Sequence, residues 1–328
     1  MTKKTGKVVS INEARQMDRS DKKSFQLVFW LLVAKIAFIL LLVGLAVWLL
    51  YTVRSAGSAD RAAVRFQNPQ GAGYTADGSK LWIGSKSGIS SYRKGSWVKE
   101  KAEKNPPAGA ELLPTADGYI QVEPERTVVE QKTIRGDTLE TLAIPKGQTG
   151  GFWAAGYHSH HLYHLQESNG KLLLHFSTNR GKTWNQRVIK GIKGKVNTFA
   201  VHPSRSDVFA LATNNGLFFT QDGGSHFRTF LKGEQVSSVS IGFGDPIALL
   251  AGTAGRDTAL YNIIPGQNKE VNLEIGTVEG DRIEWIVQNP ARQGESAILT
   301  KNRDVFLTDN GGQNWIILAK SGRGLSGK

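Results

Sequence analysis

The chain has no cysteine among its 328 residues, which excludes disulfide stapling and thiol chemistry. Beyond residue 54 it has no second long apolar run and no useful stretch of apolar residues at helical spacing, which excludes a helical solenoid. It also lacks any motif that interleaves aromatic and basic residues in the manner of a nucleic-acid reader. No acidic residue interrupts positions 182–206, and the whole chain carries a formal net charge of +13. That excess favours solubility and attraction to anionic lipid, glycan or an acidic protein surface.

The one long apolar run is Phe25–Val53, interrupted chiefly by Gln26 and Lys35. About 20 apolar residues cross a bilayer, so the run is long enough to span. A cleavable signal has an apolar core of roughly 7–15 residues behind a short basic start. Here a polar segment of 24 residues precedes a longer core, and Ser55-Ala56-Gly57 is a poor cleavage site. An uncleaved anchor is therefore expected, with Lys35 snorkelling to the nearer interface. Lys3, Lys4, Lys7, Arg15, Arg19, Lys22 and Lys23 outweigh Glu13, Asp18 and Asp21 on the first flank, against Arg54, Arg61 and Arg65 on the other. The positive-inside rule then places the N-terminus in the cytoplasm and the rest outside it.

Three stretches in the remainder repeat a pattern: STNRGKTW at Ser177–Trp184, TQDGGSHF at Thr220–Phe227 and TDNGGQNW at Thr308–Trp315. Their starts are 43 and then 88 residues apart, one period and then two. Between them lie short β-rich runs, most clearly Val196–Val201, Val208–Thr213, Leu217–Thr220 and Phe227–Leu231, punctuated by HPSRSD, NNG and QDGG turns. Four short strands per period of this length is the pattern of a propeller blade. Continued along the chain, the register predicts an all-β, six-bladed propeller over about 66–319, seven being the alternative count. Asn179, Asp222 and Asn310 can accept hydrogen bonds from turn amides, and Trp184, Phe227 and Trp315 then enter the next strand as packing groups. The repeated motif is thus a device for building turns, since one catalytic site would not need three copies.

On these boxes, with the LWIG and VFAL runs as support, the sequence resembles the Asp-box or BNR-repeat β-propellers. It is most similar to the photosystem II stability and assembly factor-like group. That resemblance implies a non-enzymatic scaffold contacting subunits of a membrane complex. Asp boxes also occur in sialidases and sortilin-like receptors, so a glycan- or peptide-binding receptor and a sialidase-like glycosidase stand as alternatives behind the scaffold. The transmembrane anchor departs from a typical lumenal assembly factor. A sialidase site would require an arginine triad with a tyrosine and an acid. Arg65, Arg282, Arg303, Tyr261 and Glu284 are the residues available for it, but no arginine-isoleucine-proline segment accompanies them.

Two local clusters are candidate sites. His158, His160, His161 and His164 crowd the first turn of the third blade. Imidazoles can bind zinc or copper, but strand alternation opposes convergence of all four, and His202 at the comparable turn of the next blade suggests a shared turn role. Lys182, Arg187, Lys190, Lys193 and Lys195 form the basic cluster, either a solvated rim or a contact for anionic lipid or an acidic protein. Trp82, Trp97, Trp153 and Trp285 are expected to pack between blades.

The sequence therefore predicts a cytoplasmic tail over 1–24, an anchor over 25–53, a linker over 54–65, a propeller over 66–320 and a tail over 321–328. The short linker predicts a ring close to the membrane. The expected role is a non-enzymatic scaffold or accessory factor at a bacterial inner membrane, with its propeller in the periplasm. It would serve assembly or stability of a membrane protein complex, with no catalytic, cofactor or metal site and no nucleic-acid partner.

Overall fold

The computed structural model describes residues 30–49, 64–102, 104–123, 128–144, 150–255, 258–278 and 280–325. The chain divides into two units, Met1–Ala62 and Ala63–Lys328. In the first, α1 (Trp30–Leu49) is a helix long and apolar enough to cross a membrane, with none of that surface buried. Its length and composition fit a membrane anchor or a signal sequence alike. The expected tail 1–24, both ends of the expected span and positions 54–63 of the expected linker lie outside the described residues.

The second unit is a six-bladed β-propeller, each blade an antiparallel meander. Blade 1 comprises β1 (Pro69–Tyr74), β2 (Leu81–Ser85), β3 (Gly88–Arg93) and β4 (Ser96–Lys99). Blade 2 comprises β5 (Glu111–Thr115), β6 (Gly118–Val122), β7 (Val128–Lys132) and β8 (Thr138–Ala143). Blade 3 follows as β9 (Phe152–Ala155), β10 (Leu162–Ser168), β11 (Lys171–Ser177) and β12 (Asn185–Ile189). Blade 4 is β13 (Val196–Val201), β14 (Phe209–Thr213), β15 (Gly216–Thr220) and β16 (Arg228–Phe230). Blade 5 is β17 (Gln235–Ile241), β18 (Leu249–Ala254), β19 (Leu260–Ile264) and β20 (Lys269–Asn272). Blade 6 has β21 (Ile283–Gln288), β22 (Ser296–Thr300), β23 (Val305–Thr308), β24 (Ile316–Lys320) and a fifth strand, β25 (Arg323–Gly324).

A blade has two apolar faces, so it is stable only when both are covered by neighbours. Strands β2, β6, β14 and β22 are buried at every residue, whereas the outer β4 and β12 are mostly exposed. A hydrophobic cluster fills each of the six blade junctions. Val208, Phe219, Val236 and Leu249 join blades 4 and 5, and Trp82, Ile89, Leu112 and Tyr119 join blades 1 and 2. Burying one such side chain contributes roughly 1.5–3 kcal/mol, so the junctions hold the ring together.

The last junction is closed by both ends of the unit. Val64–Phe66 lies along β25: Arg65 bridges Arg323, the Phe66 amide donates to the Gly322 carbonyl at 2.7 Å, and the Gly324 amide donates to the Val64 carbonyl at 2.8 Å. The Phe66 ring stands 4.7 Å from Trp97 of blade 1, and the Trp97 indole donates to the Leu318 carbonyl at 2.7 Å. Arg323–Gly324, expected to belong to a tail, is therefore part of the sheet, joined to β24 by a turn at 321–322. Val64 and Arg65, expected in the linker, also join its edge. The count of blades remains six because this strap widens blade 6 instead of starting another.

Candidate functional site

The innermost strands β1, β5, β9, β13, β17 and β21 surround a central cavity of about 210 Å³. Each begins at one face of the ring, the entry face, and ends at the other, the exit face. Small side chains such as Ala72, Ala155 and Ala200 leave the space open. Glu111 and Phe152 are the first residues of β5 and β9, and Glu284 is the second of β21, so all three line the entry end.

At the exit end, Tyr157 reaches across from blade 3. Its hydroxyl donates to the Tyr74 carbonyl of blade 1 at 3.0 Å, and its ring stands 5.0 Å from Phe243 of blade 5. One side chain thereby ties three blades together and narrows that end.

Glu111 is reached by solvent through the cavity yet crowded by the surrounding strands. This desolvation pushes its carboxyl up to about 7, although the backbone amide of Trp153 donates to it and opposes the rise. The charge of Glu284 is met by Arg282 at 2.8 Å.

The three boxed turns lie between the third and fourth strands of blades 3, 4 and 6 and share one hydrogen-bond cage. In blade 4 the buried Thr220 hydroxyl donates to Asp222 Oδ1 at 2.8 Å and accepts from the Gly224 amide at 3.0 Å. Asp222 Oδ1 in turn accepts from the amides of Ser225 and His226, each at 3.0 Å. Ser177 and Asn179 repeat this in blade 3, as do Thr308 and Asn310 in blade 6. The Trp184 and Trp315 indoles donate back to the Gly181 and Gly312 carbonyls, each at 3.1 Å. The hydroxyl and the Asn or Asp side chain of each box are thus spent on its own turn.

The histidines diverge. His158 is exposed and packs edge-on against Tyr157 and Phe243. His160 turns toward blade 2, with Nε2 3.0 Å from Asp117 Oδ2. His164 is buried, stacked 4.4 Å from Trp153, and its Nε2 contacts the Gly150 carbonyl at 2.6 Å. Burial lowers the pKa of both His161 and His164. Among the described residues no three His, Cys, Asp or Glu side chains gather in a metal-binding arrangement. His202 serves its own turn, with Nδ1 accepting from the amides of Ser204 and Arg205, each at 3.1 Å.

The basic cluster is also divided. Lys182 precedes β12 and Lys190 follows it, so they lie at opposite faces, about five strand residues apart. Arg187, between them, donates to the Gly223 carbonyl of blade 4 and lies 5.8 Å from the Phe176 ring centre. Lys190 and Lys195 do share an entry-face groove of about 920 Å³, together with Lys171, Ile192 and Phe152. Lys193 is exposed in the same loop.

The residues available for a sialidase site are likewise scattered. Tyr261 packs on the core between blades 4 and 5, Arg65 sits in the closing strap, and Arg303 occupies the turn after β22. Trp82, Trp97 and Trp153 pack between blades as expected, while Trp285 also lines the cavity. Glu111 and Tyr157 had no signal in the linear sequence. Glu111 follows Ala110 without a motif, and Tyr157 is overshadowed by the neighbouring histidines.

The sequence matches no protein-family model and no curated protein. Among solved structures, the fold is similar to a GH74 enzyme of Niastella koreensis, at TM-score 0.50 and 14% identity over 79% of this chain and 47% of that one. The chain thus spans about half the length of that enzyme. It is similar to an oligogalacturonate lyase in complex with manganese, at TM-score 0.51 and 14% identity over 79% and 78% of the two chains. YCF48 bound to a D1 peptide aligns at TM-score 0.48 and 11% identity, over 78% of this chain and 83% of that one. At these identities the likeness is one of propeller fold.

Proposed function

We propose that the protein is a membrane-anchored, non-enzymatic scaffold or accessory factor that supports assembly or stability of a membrane protein complex. Its tail 1–24 faces the cytoplasm, residues 25–53 anchor it in a bacterial inner membrane, and the propeller works in the periplasm. The observation that carries this reading is one chain uniting an apolar span with a propeller whose repeated polar motif is consumed in its own turns. Anchoring restricts diffusion and raises the effective concentration of the ring beside membrane partners. A rigid closed ring offers a broad surface, and the lysines of the entry-face groove suit an acidic protein surface or anionic lipid.

Crosslinking in the native membrane, mild-detergent purification and identification of co-purified proteins test this role. The expected outcome is recovery with a defined set of membrane subunits. Repeated recovery as a lone monomer would overturn it. A second reading, a receptor for a small ligand, is favoured by the central cavity and its aromatic and acidic entry end.

A further inference from the structure

Blades 5 and 6 face each other across a cavity of about 420 Å³. The loops that follow β17 and β21 and the boxed turn of blade 6 form its rim, so it opens on the exit face. Strand register sets its walls, because side chains alternate between the two faces of a blade. On blade 5, Ser240, Leu250 and Asn262 form one row across β17, β18 and β19. On blade 6, Gln288, Ser296 and Thr308 form a row across β21, β22 and β23. Leu250 shares a hydrophobic cluster with Ile286, Ile298 and Phe306, so the two rows look into the same junction. The Gln288 carboxamide donates to the Ser240 hydroxyl at 3.2 Å and pins the inner ends of the rows together.

Two side chains in these rows are left without partners among the described residues. Ser296 is only 6% exposed, and its hydroxyl lines the cavity with no hydrogen bond. Asn262 makes none at either end of its carboxamide: Oδ1 is sealed from solvent, and Nδ2 is left to the cavity. Thr308 differs, since its hydroxyl is spent on Asn310 and the Gly312 amide. A buried polar group without a partner costs more than a formed hydrogen bond gains. The charged residues of the lining, Arg292 and Glu295, pair with each other at 2.6 Å. An ion entering here would therefore lose water without gaining a counter-ion. Leu250, Leu273 and Trp315 make the rest of the wall apolar.

We propose that this cavity binds an uncharged peptide segment of a partner protein, with one backbone amide held between Asn262 and Ser296. Asn262 Nδ2 donates to the carbonyl of that amide, and the Ser296 hydroxyl accepts from its N–H. An aliphatic side chain beside the amide lies on Leu250, Leu273 and Trp315, where its burial adds to binding. A sugar ring fits less well, because its many hydroxyls would face an apolar wall with few polar groups to meet them. The site rests on the scaffold reading for its partner and supplies that reading with a point of contact.

The competing account fills the cavity with water that satisfies both side chains. Calorimetric titration of the full chain in mild detergent separates the two. The probes are Nα-acetyl-alanyl-leucyl-alanine methylamide, N-acetylglucosamine and, as an apolar control without an amide, isopentanol. Native protein is expected to bind the capped peptide with a dissociation constant of about 1 mM and to bind the other two at least about tenfold more weakly. Asn262→Leu, which leaves the peptide carbonyl buried without a donor, should weaken binding about tenfold or more. Ser296→Ala should weaken it about two- to tenfold, and it keeps the test decisive if the first variant melts early.

Absence of peptide binding to native protein, unchanged affinity in Ser296→Ala and Asn262→Leu, or equal binding of isopentanol or N-acetylglucosamine each overturns the proposal. Peptide binding by a protein that never co-purifies with membrane subunits would overturn the scaffold role and leave the site standing. Co-purification without peptide binding would do the reverse.

Discussion

Asp222 in the boxed turn of blade 4 and Glu111 at the channel mouth are both carboxylates open to solvent, and the fold drives them in opposite directions. The amide and then the side chain of His226, followed by the Thr220 hydroxyl, hold Asp222 well below the usual carboxylate range. Crowding by the channel strands, with one amide as a donor, holds Glu111 near 7. The turn surrounds its carboxylate with donors until little capacity for a ligand is left. The channel leaves its carboxylate underserved. The two acids thus differ in how many donors the chain itself supplies.

The difference can be broken most severely at Gly224, whose backbone φ is +91° and whose Cβ would meet Ile189 at 2.7 Å and Phe209 at 3.0 Å. Gly224→Ala should cost about 3 kcal/mol or more, combining left-handed strain with overpacking. Gly95→Ala, at φ +82° with open space around it, should cost about 1–2 kcal/mol. Urea unfolding of the two variants side by side measures the gap.

Next in size is Thr220→Val, which leaves the buried Gly224 amide without its acceptor and should cost about 1–3 kcal/mol. Thr133→Val, at the exposed turn of blade 2, should stay within about 0.5 kcal/mol.

A smaller, pH-dependent effect is expected of Glu111→Gln. The raised carboxyl favours the folded chain below the ordinary value of 4.5, and that contribution is lost as pH climbs through about 7. Thermal melting should therefore show the variant gaining on the native protein above pH 7 and matching it below 4.5. Smallest is Asp222→Asn. A depressed carboxyl stabilises above its ordinary value of 3.8 and loses that contribution as pH falls. The variant should melt slightly below the native protein at pH 7, and the gap should close as pH falls below about 4. Blades 3 and 6 already carry asparagine at this position.

The boxes were legible in the sequence because a turn is a local event. Thr220, Asp222 and Gly224 find one another within five positions, and the period then counts the blades. The histidine cluster misled for the same reason. Nearness along the chain does not survive a tight turn followed by a strand that alternates its side chains, and His160 and His164 leave in different directions. Lys182 and Lys190 were separated by the length of β12. Glu111 was hidden because its surroundings are assembled by strands from blades far apart in sequence. Arg323–Gly324 was hidden because two residues carry no periodicity, and their partner lies at the other end of the unit.

The strap of Val64–Phe66 along β25 also brings the first and last residues of the ring side by side. The propeller is therefore a ready candidate for circular permutation, with Val64 and Leu325 joined by a short linker and new ends opened in an exposed loop such as Lys190–Lys195. Trimming the chain back to Val64 keeps every latch, whereas trimming it past Phe66 bares a strand edge to any passing chain.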